Sequence, residues 1–232
     1  MRMKLFSPIA ACGEDTSKVK AIVLDLDNTL IYCDINASGA IAPTSPTRVN
    51  HFWINLDGHR YQVKVRPGLD AFLIEIRKMF DKVIVWSAGV RPYVDAVVEN
   101  IFRSVGYMPD LVWARENCDE VVPGQMYTKP LVNLITAGMI SKISEVVIFD
   151  DLRTSMSNNL ENAIHVPEFM GRYDSYLYSL IKALTESSMT LRDITSINLD
   201  LSMTVGPVNM SVRSRPGSIQ RSPISLSLNM RV

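Results

Sequence analysis

With 232 residues, 47% of them hydrophobic and 21% charged, the chain has the composition of a soluble globular protein that buries one good core, so one main domain with an extension is expected. Its 24 basic and 24 acidic side chains cancel, which removes any overall field drawing it onto nucleic acid or an anionic membrane, and neither is expected as a direct partner. The three cysteines, Cys12, Cys33 and Cys118, are odd in number and widely spaced, which argues against a disulfide framework or a zinc site and for a reducing intracellular compartment, cytoplasmic or nuclear.

In chain order, residues 1–17 mimic a lipoprotein export signal ending at Cys12, but Pro8 interrupts an apolar stretch shorter than the roughly 7 residues such a signal needs. No later stretch reaches the ~18 apolar residues of a membrane span. Residues 18–25, KVKAIVLD, are a β-branched run of strand length that places Asp25 at a carboxyl end. Pro43, Ser45 and Pro46 mark a loop, APTSPTR, followed by a hairpin over 51–65 with Asp57-Gly58 at its turn. Apolar residues at Leu69, Phe72, Leu73, Ile76 and Phe80 predict a helix, residues 83–86 a buried strand, and 90–102 a helix with Pro92 tolerated in its first turn. A short strand at 111–114, a helix after Pro130, a strand at 145–150 and a helix at 173–184 complete the alternation. The fold class is therefore α/β, a Rossmann-like parallel sheet with helices on both faces and a small β-hairpin insert at about 31–66.

After residue 185 the composition shifts to serine, methionine and arginine. Strict alternation over 197–205 and again over 224–232 predicts two amphipathic strands around a basic Gly/Pro-punctuated loop, with disorder as the alternative. An isolated hairpin needs another surface to cover its apolar side, so this 186–232 extension is the expected route to a homo-oligomer.

In a parallel sheet the ligand lies beyond the carboxyl ends of the strands, which puts Asp25, Ser87 and Asp150 in one crevice. DLDNTL places the carboxylates of Asp25 and Asp27 two apart, on one side of an extended chain, where their repulsion calls for a proton or a cation. Asp150-Asp151 supplies a second acidic pair at the same mouth, and such oxygen-rich clustering suits a hard divalent ion such as Mg²⁺. Ser87, followed by Ala88-Gly89, offers a hydroxyl and approachable N–H groups to a phosphate oxygen, and Lys129 a point charge. Taken singly, each also reads as a solvated turn acid, a strand-end serine or a surface lysine.

The order of these elements resembles the four motifs of the haloacid dehalogenase phosphatases. The likeness is greatest to the phosphatases of the RNA polymerase carboxy-terminal domain and the NLI-interacting-factor-like small phosphatases, through VKVRPGLDAFL, VIVWSAGVRPYVD, WARENC, YTKPL, VVIFDD and ENAIHVPEF. The resemblance covers about 19–184 and implies a phosphatase domain at 18–185. It implies that Asp25 attacks phosphorus, that Asp27 protonates the leaving oxygen and then activates water, and that Thr29, Ser87 and Lys129 hold phosphoryl oxygens. It further implies that Asp25, the Asp27 carbonyl and Asp151, with Asp150 adjacent, surround Mg²⁺, and that Tyr93 and Arg115 touch a phosphorylated protein or peptide substrate. Three positions depart from the family pattern: Asn28 and Pro130 stand where acidic residues are common, and Asp151 where asparagine is usual. The 31–66 insert is too short for a full cap over a small metabolite, which favours phosphoserine or phosphothreonine in a protein. A small-molecule phosphatase and a lapsed phosphopeptide-binding scaffold are the competing readings.

Overall fold

The computed structural model describes residues 17–34, 49–197 and 199. The loop at 42–48, Cys12 and nearly all of the two alternating C-terminal stretches lie outside the described residues. The elements are β1 (Ala21–Leu24), β2 (Ile31–Asp34), β3 (His51–Leu56), β4 (His59–Val65), α1 (Leu69–Met79), β5 (Lys82–Trp86), α2 (Arg91–Arg103) and β6 (Leu111–Trp113). After them come β7 (Asp119–Val122), β8 (Met126–Thr128), α3 (Asn133–Thr136), β9 (Val146–Asp150), β10 (Ala163–His165), α4 (Tyr176–Glu186) and α5 (Leu191–Thr195).

Five strands form one sheet in the order β10-β9-β1-β5-β6, and every pairing in it is parallel. From β1 the chain runs outward through β5 and β6, then returns to the other side of β1 to lay down β9 and β10. The strand order therefore reverses between β1 and β9, and the switch point opens a crevice beyond their carboxyl ends.

Alternation along the strands sorts their side chains into two cores. Ile22, Leu24, Val83, Val85, Val147 and Phe149 meet α1, α2, α4 and α5 on one face. Ala21, Val23, Ile84, Trp86, Val146 and Ile148 meet Leu131, Leu134, Ile140 and Met156 on the other. Helical cover is thus present on both faces but unequal. The helix expected after Pro130 is a single turn, α3, because the chain passes into the left-handed conformation at Gly138 (φ 70°).

Helix α1 realises its apolar stripe, with Leu69, Phe72, Leu73 and Ile76 buried, Asp70 in its first turn and Arg77 and Lys78 in its last, each charge favourable to the helix dipole. Gly68 starts it at φ 86°, and a Cβ there would lie 3.0 Å from the Tyr178 ring. The hairpin turns at Asp57 (φ 51°) and Gly58 (φ 75°), as Asp-Gly in a two-residue connection requires. Beyond the hairpin, β2 pairs with β4, so the described residues of the insert form a three-stranded antiparallel sheet, β2-β4-β3. The β7–β8 hairpin, whose first strand is exposed, β10 and α5 are further elements that the pattern did not reveal.

Two outcomes follow. Phe72 is 1% exposed and meets Phe149 edge-on at 6.4 Å, so Phe72→Ala should lower stability by about 3–5 kcal/mol in urea denaturation. Asp110 accepts from Val83 N–H (2.8 Å) and Arg77 (2.7 Å); burial would raise its carboxyl, but these donors prevail and hold it below the ordinary range. A depressed folded-state value gives stability that is complete above the unfolded carboxylate range, about 3.9, and is lost as pH falls through the folded value. Asp110→Asn should therefore cost stability at pH 7, with a gap to the parent chain that narrows towards pH 2.

Candidate active site

The turn after β1 is tightly wound. Leu30 N–H and Ile31 N–H both donate to Leu26 O (2.8 and 3.0 Å), and Asn28 N–H donates to Ile31 O (2.7 Å). Asn28 adopts φ 60°, a left-handed conformation that asparagine tolerates better than most residues, which gives this departure from the family pattern a local reason. The ladder to β9 continues one residue past β1, with Asp25 N–H donating to Phe149 O (3.0 Å), and so sets Asp25 beside Asp150.

Between them lies Lys129. Its ammonium, 1% exposed, donates to Asp25 Oδ1 at 2.5 Å and to Asp150 Oδ2 at 2.7 Å. The backbone of Lys129 is fixed by bonds to Ser155 O (2.9 Å) and from Asn159 Nδ2 (2.8 Å), so the charge is delivered by a pinned segment. Asp150 Oδ1 also accepts from Leu152 N–H (2.8 Å). Burial opposes the Lys129 charge, but Asp150 and Asp25 overcome it and keep the amine protonated. Burial pushes the Asp25 carboxyl well up, with Lys129 pulling it back and Asp150 and Asp151 pushing it further. Asp151 rises to about 6, through burial and then the charge of Asp150.

Asp25, Asp150 and Asp151 offer oxygens within 4.8 Å of one another. Three carboxylates against one ammonium leave a formal surplus of two negative charges in a largely buried crevice. A hard divalent cation would remove that surplus, and the all-oxygen donor set fits Mg²⁺.

Thr29 turns its hydroxyl to Asp151, donating to Oδ1 (2.9 Å) and accepting from the Asp151 N–H (3.1 Å). Ser87, 1% exposed, continues the sheet by donating its N–H to Trp113 O (3.0 Å), and its Oγ accepts from Gly89 N–H (2.9 Å). Asp27 stands apart from the three-carboxylate cluster: its Oδ1 accepts from the Tyr93 hydroxyl, and burial raises its carboxyl while that bond lowers it. Tyr93, expected at the substrate surface, is 6% exposed. Arg115 donates from Nε to Ala88 O (2.7 Å), and its guanidinium lies 5.3 Å from the centre of the Tyr127 ring, so it reaches over the turn that follows Ser87.

The family model for NLI interacting factor-like phosphatases matches residues 20–195. The chain belongs to that family. Two of its curated relatives are the nuclear envelope morphology protein 1 of Saccharomyces cerevisiae, 29% identical over 66% of this chain and 35% of the relative, and the CTD nuclear envelope phosphatase 1 homolog of Caenorhabditis elegans, 28% identical over 89% and 81%. The chain thus spans about a third of the yeast relative's length. A solved structure of the fission yeast RNA polymerase II CTD phosphatase Fcp1 bound to beryllium fluoride aligns at a TM-score of 0.49 and 21% identity, over 66% of this chain and 42% of that one.

One residue of this NLI interacting factor-like site escaped the sequence reading. Arg66, 1% exposed, pairs with Asp174 (3.1 Å), donates to Thr29 O (2.8 Å) and lies against the rings of Phe169 and Tyr176. It fixes the turn carrying Asp27 and Thr29 from behind. Arginine is rarely buried, and its partner lies 108 residues away, so no local pattern could have flagged it.

Removing the Lys129 charge leaves two buried carboxylates facing each other. Lys129→Met should lower stability by about 3–5 kcal/mol in urea denaturation with chelator present, and added Mg²⁺ should recover part of the loss.

Proposed function

We propose that the chain is a Mg²⁺-dependent phosphoprotein phosphatase, acting on phosphoserine or phosphothreonine through an aspartyl phosphate on Asp25. The observation that carries this reading is the convergence of Asp25, Asp150 and Asp151 around Lys129 at the sheet's switch point. The family match and the relatives named as phosphatases support it.

In this reading an Asp25 oxygen attacks phosphorus, and the bond to the serine or threonine oxygen breaks as Asp27 gives up its proton to that oxygen. Burial raises Asp27, which keeps a proton on it at neutral pH more of the time than on an exposed aspartate. In the second half, Asp27 takes a proton from water as the water oxygen attacks phosphorus, which frees Asp25 and inorganic phosphate. Asp25, Asp150 and Asp151, with the Asp27 carbonyl, would hold Mg²⁺, which when bound supplies charge neutralisation for the phosphoryl group. Lys129 retains a third N–H for a phosphoryl oxygen, and Ser87 offers its O–H from the neighbouring strand end.

The described residues of the short insert form a small three-stranded sheet, which supports a protein substrate over an enclosed metabolite. We place the phosphatase domain at 18–185 and regard 186–232 as an extension and candidate route to a homo-oligomer. Among the described residues no helix is long and apolar enough to cross a membrane. An intracellular place, cytoplasmic or nuclear, is supported by relatives named as nuclear envelope phosphatases.

The test is turnover of p-nitrophenyl phosphate and a panel of phosphopeptides, phosphosugars and nucleotides, with and without Mg²⁺. Asp25→Asn should abolish turnover, and Asp27→Asn should slow it by roughly 10²- to 10⁴-fold while phosphoenzyme accumulates. Wild-type rates in Asp25→Asn would remove the nucleophile assignment, and preference for phosphosugars or nucleotides would remove the protein substrate.

A further inference from the structure

The bond from Tyr93 to Asp27 does something that the reaction outlined above leaves unassigned. Tyr93 lies in the first turn of α2, where its N–H donates to Val90 O (3.0 Å), and its hydroxyl crosses to Oδ1 of Asp27 in the turn after β1. The ring is held from below by the absence of a side chain at residue 89. A Cβ on Gly89 would lie 2.9 Å from Tyr93 Cδ1, 3.2 Å from Ser87 Oγ and 3.2 Å from Val94 Cγ2. Cys33 of β2 interacts with the same hydroxyl; burial pushes its thiol up to about 11, so it stays protonated and uncharged. Three elements thus enclose one phenol whose single proton is directed at one carboxyl oxygen.

We propose that Tyr93 is a positioning residue for Asp27, locking the carboxyl plane and reserving Oδ1 as an acceptor so that the transferable proton resides on Oδ2. This rests on the phosphatase reading given above. The carbonyl oxygen of a neutral carboxyl is a better acceptor than its hydroxyl oxygen, so the bond to Oδ1 favours the proton on Oδ2. When Asp27 has given that proton to the departing oxygen, the same O–H donates to a full carboxylate, a stronger bond than to the neutral acid. The interaction therefore grows along the reaction, as a group assisting proton donation must. A tyrosine that only packed in the helix would gain nothing from this change of charge.

The experiment uses the full chain with Mg²⁺ and a series of substituted phenyl phosphates whose leaving groups range from p-nitrophenolate to unsubstituted phenolate. None carries a peptide, so contact with a peptide cannot enter the result. kcat/KM reports the first half-reaction, in which a poor leaving group needs the proton most. In Tyr93→Phe, kcat/KM should fall by about 10-fold more for phenyl phosphate than for p-nitrophenyl phosphate, a fraction of the general-acid effect itself. In the Asp27→Asn background the same substitution should change kcat/KM by less than about 2-fold, because coupled residues are not additive. The leaving-group ratio is internal to one preparation, so a lower folded fraction cancels, and the double-variant comparison is normalised to the folded fraction read by circular dichroism. Equal losses across the series, or full additivity with Asp27→Asn, would overturn the positioning role while leaving the nucleophile assignment standing. The phosphatase reading itself fails if the parent chain turns over none of these esters, and its nucleophile assignment fails if Asp25→Asn stays active.

Discussion

A buried ammonium between two buried carboxylates governs this molecule. Lys129 touches both Asp25 and Asp150, and neither acid could be held so far from water, so close to the other, without it. The sheet's switch point brings the acids together, because β1 and β9 are neighbours in space although far apart in sequence. The lysine makes that juxtaposition tolerable, and the remaining negative charge defines what the crevice accepts. Three carboxylates and one ammonium make up the fixed charge there, and they leave the crevice negative.

The turn that carries Asp27 and Thr29 is held on three sides. Arg66 supports it from beneath, Thr29 ties it to Asp151, and Tyr93 takes one oxygen of Asp27. Every one of these bonds joins distant parts of the chain, so the geometry of the turn reports on the packing of the whole domain. Such over-determination holds the carboxyl of Asp27 and the hydroxyl of Thr29 in fixed positions.

Much of this was legible in the sequence, and the gaps have physical causes. β1, β5 and β9 are short aliphatic runs ending in Asp25, Ser87 and Asp150, and alternation with amphipathic helices made a parallel sheet the natural reading. The Asp57-Gly58 turn was equally plain. β2 was not, since IYCD carries no clean alternation and forms only because β4 offers it an edge. β10 is three residues long and β7 is exposed throughout, so neither leaves a burial pattern to detect. At the site, the residue types pointed to phosphoryl chemistry, but the pairing of Tyr93 with Asp27 and of Arg66 with Asp174 depends on folding that no spacing rule encodes. Lys129 read as a plain point charge, and only its burial makes it the centre of the arrangement.

The pairing of the first sheet strand with a late one also dictates when competence can arise during synthesis. Thr29 and its partner Asp151 are separated by 122 residues, so at about 5–20 residues per second the ribosome needs roughly 6–24 s between the two. For most of that interval the nascent chain carries Asp25 and Asp27 without Lys129, and until close to its end without Asp150 or the β9 edge that seats them. A growing polypeptide therefore lacks the assembled crevice until β9 has emerged, and translation that stops before β9 leaves Asp25 and Asp27 with neither Asp150 nor Asp151 beside them.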